Sequence, residues 1–370
     1  MKKINFIVVK NVFESLGQII VIIAVVTFLL SFLTSCEADY PNSARQNNVE
    51  YLPLTVLNKT YDGNGMNIVF MPERYGSAEM EAFRHEVEMA WNLLRNTAPY
   101  SYVLDKLNVY ACEIASPSDS TSVFGMPKPE RLQVNAQVRY DSIQSVMRRL
   151  PFETENTILV ILTNEKEAYL GYTIMTMSVG KRRLPQTVVV QSLKSYEPAV
   201  LTHELGHACG LLADNYNAQG TEIGEDERVE LQAYHDNGMF LNVTTSRDTM
   251  SWQMFIDDED NAADQIGLYE GGYGFEKNVW RPTKNSVMRH HYLDPYYSKV
   301  ERYLIYNNIE KMYSGREVGY EEWKAIDSQN PQLPIDFSEI TGVAKTRSAA
   351  PVVSDYDYND VVIVSHGTQL

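Results

Sequence analysis

The stretch THELGHACGLLADNY, residues 202–216, puts His203 and His207 four residues apart with Glu204 directly after the first. On a helix, residues i and i+4 stack on one face, so two imidazole nitrogens can converge on one ion. Val200, Leu201, Leu205, Ala208 and Leu211 form an apolar arc around them, which predicts a packed helix. Glu204 then stands one residue round from the first histidine, near enough to the ion to hold a water there. That is the equipment for metal-assisted hydrolysis of an amide. Zn2+ polarises the carbonyl and acidifies water, while a carboxylate takes the proton and hands it to the leaving amine. The competing reading is a polar patch on an ordinary surface helix.

Two histidines are one ligand short, since a catalytic zinc normally takes three from protein and leaves the fourth place for water. Gly206 and Gly210 are poor helix formers, and Gly210 falls where the helix can end and the chain turn back. In the metzincin peptidases the pattern is HExxHxxGxxH or HExxHxxGxxD. Here the position of the last ligand is Ala213, and the acid comes one step later, at Asp214. Either the turn is one residue longer, or Asp214 only supports the site and another group closes it. Between Gly210 and Asn215 only Asp214 has a side chain able to ligate; His290 is its competitor.

Downstream, Asn285-Ser286-Val287-Met288-Arg289 has the order of a metzincin Met-turn, a tight bend whose methionine, here Met288, makes an apolar floor under the metal. His290 stands two places after Met288, where some metzincins carry a zinc-reaching tyrosine; otherwise it is an exposed loop histidine. Arg281 and Arg289 flank the turn. A guanidinium there can orient a substrate carboxylate or carbonyl, or simply pair with surface acids.

The elements that must position these residues alternate. Met66–Met71, Leu107–Ile114 and Thr157–Thr163 read as strands, the last apolar throughout as if covered on both faces. Gln186–Gln191 is bounded by polar residues and suits a strand nearer an edge, able to take extended peptide by edge addition. Ser77 can cap a helix striped by Met80, Phe83, Val87, Trp91 and Leu94, and Asp141 one striped by Ile143, Val146, Met147 and Leu150. This is an α/β layered domain, a sheet with packed helices. After Leu212 a long irregular stretch follows, and helix resumes at Asp294-Pro295 through Val300, Leu304 and Ile309. The tail ends on one more strand candidate within DYDYNDVVIVSHG.

The chain has 370 residues, 44% hydrophobic and 22% charged, enough for one sizeable core. Lys2, Lys3 and Lys10 precede an apolar run from Ile19 to Leu33, a secretory signal pattern. As helix that run rises about 22 Å, short of a hydrocarbon core of about 30 Å, which argues against an uncleaved span. Leu33-Thr34-Ser35-Cys36 resembles the lipobox of bacterial lipoproteins, in which Cys36 receives lipid and becomes the new N-terminus. Residues 1–35 are then a signal peptide, 36–50 a tether, 51–345 the catalytic domain and 346–370 a C-terminal extension. The expected location is the cell envelope, with the membrane reached through the lipid.

Net charge is −16; without residues 1–35, which hold three lysines and one glutamate, it is −18. Such acidity repels nucleic acid and argues against it as a partner. Only Cys112 and Cys209 remain besides Cys36, so no disulfide framework exists, and a single bridge between the two stays open. Cys209 faces away from the histidines and reads as a small packed residue. Asp257, Asp258, Glu259 and Asp260, or Asp355, Asp357 and Asp360, can hold calcium, but neither set has EF-hand spacing.

HELGHACGLLADNY resembles the HExGHxxxxLADEY signature of the bacterial IgA-specific metallopeptidase family, with Asp where Asp214 stands. MNIVFMPERYGSAEMEAF, LNVYACEIASPSDS and GLYEGGYGFEKNVWRPTKNSVMR match in order, from about Met66 to Tyr292. The resemblance implies a zincin-type catalytic domain, with zinc at His203, His207 and Asp214 and Glu204 as base. Asn215 departs from the glutamate of LADEY. The reading is a zinc peptidase acting on protein or peptide. A binding lipoprotein that keeps the fold and cleaves nothing is the alternative, and a zinc amidase for non-peptide amides a third. Retention of Glu204 favours an enzyme, because binding alone has no use for a base there.

Overall fold

The structure is a computed structural model that describes residues 50–60, 63–116, 143, 145–152, 156–164, 171–176, 186–191, 199–217, 221–290, 294–337, 340 and 361–364. Its strands are β1 (Leu54–Asn58), β2 (Met66–Glu73), β3 (Leu107–Cys112), β4 (Thr157–Thr163), β5 (Gly171–Thr176), β6 (Gln186–Gln191), β7 (Tyr269–Gly272), β8 (Phe275–Arg281) and β9 (Val361–Val364). Seven of them form one mixed sheet in the order β1-β3-β2-β4-β6-β5-β9, and β7 with β8 forms a separate hairpin.

The centre of the sheet is parallel, β3-β2-β4-β6, with Ile68 opposite both Val109 and Ile158, and Val160 opposite Val188. Every residue of β2, β3 and β4 is buried, the reason their sequences run apolar without a polar face. Strands β1 and β5 run antiparallel to the centre on either side, and β9 lies parallel against β5.

Side chains alternate between two cores, as the pleat requires. Ile68, Phe70, Val109, Ile158, Val160 and Val188 share a core with α1 (Met80–Asn96), α2 (Ala199–Gly210) and the later helix of residues 299–314. Val69, Met71, Tyr110, Leu159, Ile161, Tyr172 and Ile174 share the other with Ile143, Met147 and Leu150. Further helices are α3 (Glu225–Asp236), the single turn α4 (Val287–His290), α5 (Lys299–Ser314) and α6 (Tyr320–Gln329).

Four local expectations are corrected. Residues 186–191 form no edge, since β6 is paired on one side by β4 and on the other by β5; edge addition at β6 is therefore closed. Ser77 caps nothing: a 3-10 turn, Ser77–Glu79, leads into α1, and the Glu79 carboxylate accepts from the Gly76 N–H at 2.9 Å. The last long helix starts at Lys299, where Ser298 and Glu301 make a reciprocal capping box, and not at Asp294-Pro295. The long stretch after Leu212 holds regular structure of its own, α3 and the β7–β8 hairpin. Asp141, the run from Ile19 to Leu33 and Cys36 lie outside the described residues, among which no helix is long and apolar enough to cross a membrane.

Candidate metal centre

Helix α2 is buried along its whole length, because it lies between the sheet and α5. Its two glycines are there for close approach. A Cβ on Gly206 would sit 2.5 Å from Met288 Sδ, and one on Gly210 2.6 Å from Ile305 Cγ1. Gly210 is still helical, and the turn falls on Leu211, which takes left-handed backbone at φ 52°. The Leu211 N–H closes the helix on His207 O at 3.0 Å. For a leucine this conformation costs about 1–2 kcal/mol, offset by the burial of Leu212 and Ala213 beyond it.

The turn brings Asp214 back under the two histidines. His203 Nε2 and His207 Nε2 are 3.1 Å apart, and Asp214 Oδ1 lies 3.1 Å from the first and 3.2 Å from the second. Each imidazole gives its other nitrogen to a backbone carbonyl, His203 Nδ1 to Val287 O at 2.8 Å and His207 Nδ1 to Leu212 O at 2.7 Å. A carbonyl only accepts, so both Nδ1 atoms carry hydrogen, and each ring in its neutral form turns a lone pair inward. Three electron-pair donors then face one another in a buried triangle. One extra proton can bridge only one of its sides, whereas a cation satisfies all three.

The dimensions fit as well: an ion with four tetrahedral bonds of about 2.0 Å holds its ligands about 3.3 Å apart. Burial alone would push the Asp214 carboxyl up; in the metal-free group, imidazoles that take up a proton and donate to it hold it well below the usual carboxylate range. The group of His203, His207 and Asp214 can hold a metal ion, and among the described residues no other such group occurs.

Glu204 is fully buried on the same helix. Its Oε2 accepts a hydrogen bond from Thr173 Oγ1 at 2.7 Å, and its backbone oxygen lies 3.0 Å from the same hydroxyl. Tyr216, two residues after Asp214, lays its ring nearly parallel to His203 at 6.5 Å.

The loop that carries Asp214 is held by buried amides. Asn242 accepts from Ala213 N and donates to Ala213 O, both at 2.7 Å, and donates to Asn215 Oδ1 at 3.0 Å. Asn215 donates through its backbone to Met288 O at 2.8 Å and through its side chain to Glu301 Oε1 at 2.7 Å. Ser286 donates to the same Glu301 oxygen at 2.7 Å. The 286–290 turn thus supplies Val287 O to His203, Met288 O to the ligand loop and the Met288 side chain to the back of α2. Glu301 ties the turn and the loop to α5. Burial pushes the Glu301 carboxyl up to about 7 although Ser286 and Ser298 donate to it.

His290 is half-buried on α4 and does not join the ligand group. Arg281 is buried, its Nη1 donating to Glu270 O and Gly271 O at 2.7 and 2.6 Å, and burial pulls its guanidinium down to about 10. Arg289 gives Nη1 to Lys284 O at 2.6 Å. Arg281 thus holds β7 and, through Nη2 at 3.4 Å, shares Lys284 O ahead of the turn with Arg289. Asp258 and Asp260 are taken up by Lys324 at 2.6 and 2.7 Å, so two carboxylates of that acidic run are ion-paired. Asp355, Asp357 and Asp360 lie outside the described residues. Cys112 and Cys209 are free thiols in different cores, and burial pushes them up to about 11 and about 12.

Thr173, Asn242 and Glu301 were not singled out from the sequence, and Ser286 was named only as part of the Met-turn run. Ser298-x-x-Glu301 could have been, as a capping box; Thr173 and Asn242 carry no local signal. Compared with known proteins, the chain matches no family model and no curated protein.

Proposed function

We propose that this chain is a zinc-dependent metallopeptidase of zincin type, resembling the bacterial IgA-specific metallopeptidases and anchored by lipid at the cell envelope. The observation that carries the reading is the triangle of His203 Nε2, His207 Nε2 and Asp214 Oδ1 at 3.1–3.2 Å, with Glu204 on the same helix. Two imidazoles and one carboxylate are the ligand set of catalytic and not structural zinc, and would leave one place of a four-coordinate ion open. A zinc ion there supplies Lewis acidity and lowers the pKa of water.

The chain's own residues do the rest. Val287 O and Leu212 O fix the histidine tautomers, and such outer partners are worth about 10–100-fold in metal affinity. Asp214 holds the third place. Its displacement by one residue from the metzincin pattern is accounted for by Leu211, which makes the turn in place of Gly210 and stands three residues before Asp214, as the glycine does before the ligand in HExxHxxGxxH. Glu204 takes a proton from water and returns it to the leaving amine. Met288 packs beneath the helix as the Met-turn residue.

The test is Glu204→Gln, which removes the base and keeps every ligand. The purified variant retains about one zinc per chain and loses hydrolysis of a mixed peptide library by about 100-fold or more. Cleavage as fast as the wild type rules out Glu204 as the base.

A further inference from the structure

Glu204 is held by a hydroxyl from another layer of the fold. Thr173 sits on β5, which is locked to β6 with Thr173 opposite Val188. Its neighbours Tyr172 and Ile174 fill the far core, so Thr173 turns toward α2. The residue is fully buried, and its Oγ1 reaches Glu204 Oε2 at 2.7 Å and Glu204 O at 3.0 Å. A threonine hydroxyl has one proton, and the nearer acceptor, the carboxylate oxygen Oε2, takes it. The β-branched side chain is stiff at χ1, so the donor is aimed by the sheet itself.

We propose that Thr173 is the positioning residue for Glu204, an inference that rests on the peptidase reading above. It ties Oε2 and so holds the carboxylate in one orientation. A base held in one rotamer meets its proton at hydrogen-bond distance; a base free to rotate spends its time elsewhere. Thr173 touches no ligand atom in this arrangement, so its effect falls on turnover and not on metal or substrate affinity.

The variants are Thr173→Val, which keeps the shape and removes the hydroxyl, and Thr173→Ser, which keeps the hydroxyl. With a peptide cleaved by the wild type, Thr173→Val lowers kcat by about 10–100-fold, the worth of a hydrogen bond to a charged group. KM stays within about twofold and zinc content is unchanged, whereas Thr173→Ser recovers most of kcat. A readout independent of turnover is the unfolding midpoint: Thr173→Val shifts it less in a Glu204→Ala background than in the wild type, since the partner is already gone. Wild-type kcat in Thr173→Val, equal loss in the Val and Ser variants, or a change confined to KM overturns the proposal while the peptidase reading stands. A zinc-loaded wild type that cleaves no peptide overturns both.

Discussion

At Gly206 two preferences oppose each other. Alanine is the better helix former by about 1 kcal/mol, yet its Cβ would stand 2.5 Å from Met288 Sδ and 2.9 Å from Tyr297 Cε1. Met288 is fully buried and Tyr297 nearly so, and overpacking a filled core costs about 1–3 kcal/mol. The clash outweighs the helix preference: Gly206→Ala lowers stability by up to about 2 kcal/mol, read as an earlier urea midpoint, and a later midpoint contradicts the close packing of Met288. Asn215 is explained on the same scale. A glutamate there would set a second carboxylate against Glu301 Oε1, which the Asn215 amide meets at 2.7 Å. His203, Glu204 and His207 were legible because their relation is local, fixed by helical spacing. Thr173 and Asn242 were not, since the atoms they hold lie 31 and 29 residues away.

Helix α5 begins with a carboxylate that folding keeps from ionising. Glu301 is buried, and its carboxyl is raised from the ordinary 4.5 to about 7. Between these values the folded chain keeps a proton that the unfolded chain has lost, so stability falls as pH rises. The contribution is full below about pH 4.5 and gone above about pH 7, on the order of 3 kcal/mol across the window. In metal-free protein, Glu301→Gln removes this part of the pH dependence whatever its absolute stability; identical pH slopes for variant and wild type contradict the assignment. Legibility at this scale followed apolar continuity. β2 and β4 were readable as uninterrupted runs, whereas Gln186 and Gln191 made β6 look like an edge although it is paired on both sides. β5 and β1 are short and showed no pattern of their own. The start of α5 was misplaced because Asp294-Pro295 competes with the Ser298 capping box four residues on.

For the whole molecule, the net charge of −16 bears on partners, and Cys36, as the proposed site of lipid attachment, on location. Under the proposed anchor, Cys36→Ser leaves the protein unprocessed or soluble in the envelope, and metabolic fatty-acid labelling disappears. A Ser variant that still takes up label contradicts the lipobox reading. A metal ion held by His203, His207 and Asp214 in the native state alone would raise apparent stability. Zinc titration of metal-free wild type, Asp214→Ala and His290→Ala therefore tests the account most directly. One zinc per wild-type chain is predicted, with affinity lowered more than about 100-fold in Asp214→Ala, beyond what loss of an outer partner costs, and near wild type in His290→Ala. No zinc in the wild type, or near-wild-type affinity in Asp214→Ala together with a large loss in His290→Ala, would contradict it.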